Sequence, residues 1–123
     1  MQIIRFEDII AWQKAQTLAV LLYTYLKDCR DYSFKDQLLR AALSISNNVA
    51  EGFDRNTDKE LKYFLFIAKG SAAEVRSMLY LAKRLMYLNE EQFENGFTLA
   101  NEISKMLTVF ISKLNPKTEL TKD

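Results

Sequence analysis

Residues Thr57 to Met86 read TDKELKYFLFIAKGSAAEVRSMLYLAKRLM, and the recurrence of their apolar side chains decides the fold class. Leu61, Leu65, Ala68, Ala72, Val75, Leu79, Ala82 and Met86 step by four and three residues in turn, which is the period of one buried helical face. Thr57 with Glu60 makes a capping box at the start of this helix, which runs for about 30 residues. Gly70 sits mid-helix, where it costs about 1 kcal/mol against alanine, so it is expected to mark close backbone approach.

Working outward from this helix gives three more. Trp12, Ala15, Ala19, Leu22, Leu26 and Cys29 form one heptad stripe, predicting a first helix from Asp8 to Cys29. Ser33 and Asp36 resemble a capping box for a second, whose stripe is Leu38, Ala42, Ile45 and Val49 and which Gly52 is placed to end. Asn89 with Gln92 caps a fourth, with Phe93, Phe97, Ala100, Ile103, Leu107, Phe110 and Leu114 on its core face and Pro116 at its end. Long helices joined by short connections pack as antiparallel neighbours, so the expected fold is an all-α, up-down-up-down four-helix bundle over residues 1–115 with a polar tail at 116–123.

Composition agrees with that reading and narrows the chemistry. The chain has 123 residues, is 49% apolar and 27% charged, and contains three glycines and one proline, too little turn punctuation for many short strands. No apolar run approaches the roughly 18 residues of a membrane span, and MQIIRFEDII lacks the basic-then-apolar pattern of a signal peptide, so a cytoplasmic location without membrane contact is expected. With no histidine and one cysteine, the chain cannot build a Ser-His-Asp or Cys-His nucleophile pair, a Cys/His zinc site or the Glu-x-x-His motif of di-iron bundles. Cys29 reads as a small core residue. The expectation is a protein that is not an enzyme and carries neither metal nor cofactor.

Polar residues beside the apolar stripes are the candidate functional groups. Ala41, Ser44, Asn48, Glu51 and Arg55 form a row flanking the stripe of the second helix, and Ser71 and Glu74 interrupt a second apolar row, Phe64, Ile67, Met78, Leu81 and Leu85, on the third. Arg40 is placed roughly level with Ser71 and Glu74, which predicts a charge-assisted hydrogen bond across the helix pair. Arg40, Ser44, Asn48, Glu51, Arg55, Ser71 and Glu74 therefore read as a structural polar network that fixes packing register. Glu51 and Glu74 stand about 6 and 28 Å from the hairpin turn, too far apart to act as a carboxylate pair within one chain. The competing reading places them together from different subunits, as a carboxylate-only hydrolase or metal protein.

Lys62, Lys69, Arg76 and Lys83 recur every seven residues, drifting about 20° per step, and line one helix face for about 31 Å. Lys59 and Arg84 flank them, Phe66 and Tyr80 are interleaved, and Arg55 lies just before. Residues 57–88 hold six basic and three acidic side chains, whereas 89–123 hold four and six, so charge is segregated although the net charge is only +1. The surplus apolar row needs a cover, for which another copy of the chain is the natural candidate. Arg55, Lys59, Lys62, Lys69, Arg76, Lys83 and Arg84 are the candidate nucleic-acid contacts, and symmetry in an oligomer would multiply them. The alternative is a scaffold that docks a partner protein on its apolar surface.

FEDIIAWQKA, SISNNVAEGFDRN, FLFIAKGSAAE and RLMYLNEEQF together carry a likeness from Phe6 to Leu114. The most specific positions are Ser44, Ile45, Asn48, Val49, Ala50, Glu51, Gly52 and Arg55, followed by Gly70, Ser71, Ala72, Ala73 and Glu74. On these the chain resembles the 23S rRNA intervening-sequence proteins, small bacterial four helix bundle proteins, which are in turn similar to the accessory variability determinant of diversity-generating retroelements. The resemblance implies an antiparallel bundle assembled as a homopentamer, and no established enzymatic activity. The retroelement relatives look like strongly basic pentameric barrels that bind nucleic acid and a reverse transcriptase; this chain departs from them in being nearly neutral.

Overall fold

A computed structural model of the chain describes residues 3–114. After a single 3-10 turn, Phe6–Asp8, four helices follow: α1 (Ile10–Tyr25), α2 (Tyr32–Phe53), α3 (Asp58–Arg84) and α4 (Glu90–Ser112). The described residues contain no strand. Pro116 and the polar tail lie outside the described residues.

Packing partners run in a ring: α1 lies against α2, α2 against α3, α3 against α4 and α4 against α1. Side-chain contacts show that every neighbouring pair is antiparallel. Gln16 meets Ser46 and Lys35 meets the carbonyl of Lys27 between the first two helices. Ser44 meets Ser71 and Gly52 approaches Phe64 between α2 and α3, Arg76 meets Asn101 and Lys83 meets Glu90 between α3 and α4, and Lys14 meets Glu102 and Tyr25 meets Asn95 between α1 and α4. In each pair higher numbers on one helix face lower numbers on the other, which is the up-down-up-down course expected from short connections.

The core is built from the predicted stripes. Leu38, Ala42, Ile45 and Val49 of α2 are completely buried, as are Leu65, Ala68, Ala72, Val75, Leu79 and Ala82 of α3 and Ala100, Ile103 and Leu107 of α4. Each stripe mixes leucine, isoleucine or valine with alanine, so large and small side chains share one close-packed core. On α1 the buried face is Ala11, Ala15, Leu18, Ala19 and Leu22, so it is centred slightly to one side of the predicted stripe, with Trp12 only half-buried.

Three helix ends differ from expectation, each for a local reason. Helix α1 stops at Tyr25, four residues early, because the chain tightens into a turn in which the Cys29 N–H donates to the Leu26 carbonyl. That three-residue step keeps Cys29 on the core side, so the apolar rhythm outlasts the helix. The cap of α2 is Asp31 rather than Ser33: its carboxylate accepts from the Phe34 N–H at 3.2 Å, and a negative charge suits a helix N-terminus better than a hydroxyl. Met86, predicted as the last core position of α3, is 87% exposed and has φ 63°. The Tyr87 N–H reaches the Ala82 carbonyl and the Met86 N–H the Lys83 carbonyl, a Schellman closure with methionine at the left-handed position where glycine is usual. At the other end of α3 the Thr57 hydroxyl accepts from the Glu60 N–H, and at α4 Asn89 and Gln92 form the complete reciprocal box.

Candidate nucleic-acid interface

The basic row is positioned by the drift of a seven-residue repeat on a straight helix. Three steps rotate it by about 60°, and on α3 the rotation carries its C-terminal members toward α4. Lys62, Lys69, Arg76 and Lys83 are all half-buried, and the last three lie along the α3/α4 flank instead of forming a free outward ridge. The Arg76 Nη1 donates to Asn101 Oδ1 at 3.4 Å. Lys83 Nζ lies 3.0 Å from Glu90 Oε1 and 4.7 Å from the centre of the Phe93 ring. Tyr80 packs on the same flank, against Phe93 and Phe97. Lys59 and Arg84, at the two ends of α3, are exposed.

The outward face of α3 is mostly apolar or small instead, with exposed Glu74 in its middle and Lys59 and Arg84 at its ends. Tyr63, Phe66, Ile67, Leu81 and Leu85 are all exposed, Phe66 by 54%, and Gly70, Ala73 and Ser77 lie between them. A β-carbon added at Gly70 would meet nothing within 4 Å, so the close approach expected there does not occur within this chain. Close approach occurs at Gly52, where a β-carbon would stand 2.7 Å from the Phe64 Cβ.

The polar network divides into two parts. Ser44 and Ser71 hydroxyls meet at 2.8 Å, and Asn48 Nδ2 donates to the Ser44 carbonyl at 2.8 Å and to its hydroxyl at 2.9 Å. This group joins α2 to α3 and sets their register. Arg55 and Glu51 are exposed and pair with each other at 2.9 Å, within one turn of chain, and the Arg55 guanidinium lies 4.7 Å from the Phe64 ring. Arg55 thus reaches α3 through an aromatic face, while Glu51 does not tie helices together. Arg40 and Glu74 line one recess with Ser44 and Ser71, as their predicted level requires, but among the described residues no ion pair joins them. Their charges stay in solvent, where a salt bridge adds little. The Ser44–Ser71 register places Glu74 about 15 Å along the axis from Glu51, which again separates the two carboxylates.

Several residues were not singled out by sequence. Ser46 is fully buried and accepts from Gln16 Nε2 at 3.0 Å, which satisfies its hydroxyl on α1. Asp31 accepts from the Tyr87 hydroxyl at 2.6 Å, joining the loop before α2 to the loop after α3. That bond, and then the Phe34 N–H, hold the Asp31 carboxyl below its ordinary range, while the same bond and partial burial push the Tyr87 phenol up. On α4, Asn101, Ser104, Lys105 and Thr108 join Lys69 and Arg76 around one groove. Their three- and four-residue spacing was the available signal, masked by the stronger apolar stripe beside it.

Residues 7–109 match the family model described as 23S rRNA-intervening sequence protein. A crystal structure of a protein with unknown function from the S23 ribosomal protein family of Bacteroides thetaiotaomicron is similar at 28% identity and a TM-score of 0.77, covering 82% of this chain and 97% of that one. No curated protein matches the chain. No described helix is long and apolar enough to cross a membrane.

Proposed function

The chain belongs to the 23S rRNA-intervening sequence protein family, and from that premise we propose that it is a non-enzymatic bundle that self-associates and binds RNA. The observation that carries this reading is the exposed apolar outer face of α3 beside a cationic flank. Tyr63, Phe66, Ile67, Leu81 and Leu85 make a patch of the kind that soluble monomers seldom leave uncovered, and a second copy is its occupant, in the pentamer implied by the family resemblance. Gly70, with open space around it, admits the close contact that the chain itself does not make there.

Assembly repeats the flank of Lys59, Lys62, Lys69, Arg76, Lys83 and Arg84, with Arg55 at its edge, so that weak phosphate contacts add up. The non-enzymatic part rests on the absence of histidine and on the engagement of Glu51 by Arg55. A second reading, a scaffold for a partner protein, is supported by the neutralisation of Arg55 by Glu51 and of Lys83 by Glu90, which lowers the charge available to RNA.

Light scattering and fluorescence anisotropy on one sample separate these readings. The RNA reading expects an assembly larger than a dimer whose affinity for a labelled RNA falls steeply with salt. Lys62→Glu, Lys69→Glu, Arg76→Glu and Lys83→Glu together should abolish that binding and leave helicity intact. Salt-independent binding, or none at low salt, overturns it; saturable capture of a protein in high salt then favours the scaffold.

A further inference from the structure

The groove between α3 and α4 has a volume of about 540 Å³; most of its exposed wall is apolar, from side-chain stems and Val109, with polar groups set into it. Lys69 and Arg76 contribute from α3, and Asn101, Ser104, Lys105 and Thr108 from α4; no carboxylate lines it. Two polar atoms of these residues, Arg76 Nε and the Ser104 hydroxyl, are buried and have no hydrogen-bond partner among the described residues, and Ser104 as a whole is only 7% exposed. Leaving a buried donor unpaired costs about 1–3 kcal/mol. The α2/α3 seam of the same molecule leaves no such debt, since Ser44, Ser71 and Asn48 all find partners.

Arg76 is held at one corner only, by the long 3.4 Å bond from Nη1 to Asn101, and its Nε remains uncommitted. A guanidinium, a hydroxyl and two ammonium groups offer donors and positive charge, and the group that accepts from all of them at once is an oxyanion. Phosphate suits the set better than a carboxylate, because its oxygens can serve the arginine, the serine and a lysine together and its charge answers three cations.

We infer that this groove is a discrete binding site for a single phosphate group, held by Arg76 and Ser104 with Lys69 and Lys105 supplying charge at the rim. The phosphate has two chemical sources, a phosphodiester of RNA or a free phosphate monoester. The site overlaps the proposed RNA surface at Lys69 and Arg76 but stands on the unpaired groups of the groove, independently of that reading.

The test is a ³¹P NMR line-broadening titration of the full chain with inorganic phosphate, repeated with adenosine 5′-monophosphate and with a short single-stranded RNA as competitors. Variants are Ser104→Ala, which keeps a small side chain at the site, Arg76→Gln, and Lys27→Gln as a control outside the groove, each checked for retained helicity. Saturable broadening that weakens roughly tenfold or more in Ser104→Ala and Arg76→Gln, and is unchanged in Lys27→Gln, is the expected result. Displacement by the mononucleotide identifies a monoester ligand, and displacement by RNA a diester one. Absence of saturable broadening, or an equal response in Ser104→Ala, overturns the site. RNA binding by the parent chain without any saturable phosphate broadening removes the site and leaves the RNA reading standing; saturable, Ser104-dependent phosphate broadening in a chain that binds no RNA establishes the site and removes that reading.

Discussion

On its α2 side, helix α3 meets hydroxyls and an amide that satisfy one another; on its α4 side it brings together Lys69, Arg76, Ser104 and Lys105 and leaves two buried polar atoms without partners among the described residues. Backbone spacing differs in the same sense. At Gly52 there is no room for a β-carbon between α2 and α3, whereas at Gly96 of α4 one would stand 3.5 Å from Leu79, an ordinary contact. A seam closed this tightly, with its polar groups consumed internally, holds the bundle together. A looser seam with uncommitted donors retains binding capacity.

The contrast is broken most directly at the two glycines. Gly52→Ala should destabilise the bundle by about 2–3 kcal/mol, because the added carbon meets the Cβ of Phe64 and the Leu61 carbonyl, neither of which a flexible side-chain end can relieve. Urea unfolding checks it, and an unchanged midpoint would mean that the α2/α3 seam can open at little cost.

Ser71→Ala should cost about 1 kcal/mol, since the Ser44 hydroxyl it abandons still accepts from Asn48. The double variant with Ser44→Ala should cost less than the two single losses added, because both report the same bond. Gly96→Ala should move stability the other way, by roughly 0.5–1 kcal/mol, as the backbone gains helix preference at a place that has room for the methyl group. Loss of stability there would mean that the α4 seam is as closed as the α2 seam.

The smallest effect is a pH dependence at the Asp31–Tyr87 bond, where the α2/α3 pair ends. Asp31 titrates below its ordinary value in the fold, so its contribution is present above the ordinary carboxylate range and is lost as pH falls through the lowered value. Tyr87 titrates above its ordinary value, so its contribution is present below the ordinary phenol range and disappears as pH rises through the raised one. Asp31 is exposed and Tyr87 only half-buried, so Tyr87→Phe should shallow the stability profile slightly at both limbs. Identical profiles for the variant and the parent would show that the bond is not held in solution.

How much of this was legible follows from what each feature depends on. The α2 and α3 stripes could be read position by position, because a single helix with one buried face imposes a period on its own residues. Met86 escaped that reading: the left-handed closure after Arg84 depends on backbone hydrogen bonds, and an apolar side chain there continues the rhythm without continuing the helix. For a related reason, close approach falls at Gly52, near the end of α2, and not at Gly70. A glycine in sequence says that a β-carbon is missing, but which neighbour stands over the gap depends on how the next helix is rotated.

The sequence by itself determined four helices, most of their caps, the antiparallel course and the seven-residue spacing of the cationic row, all properties of chain-local periodicity and short connections. Tertiary structure decided which way that row faces. Rotation of α3 about its axis, set by burial of Leu65 through Ala82, turns Arg76 and Lys83 toward α4 and leaves Tyr63, Phe66 and Leu81 outward. The groove with its unpaired Arg76 and Ser104 exists only where two helices meet, and its groups are 28 positions apart in the chain, beyond the reach of any single helix's period.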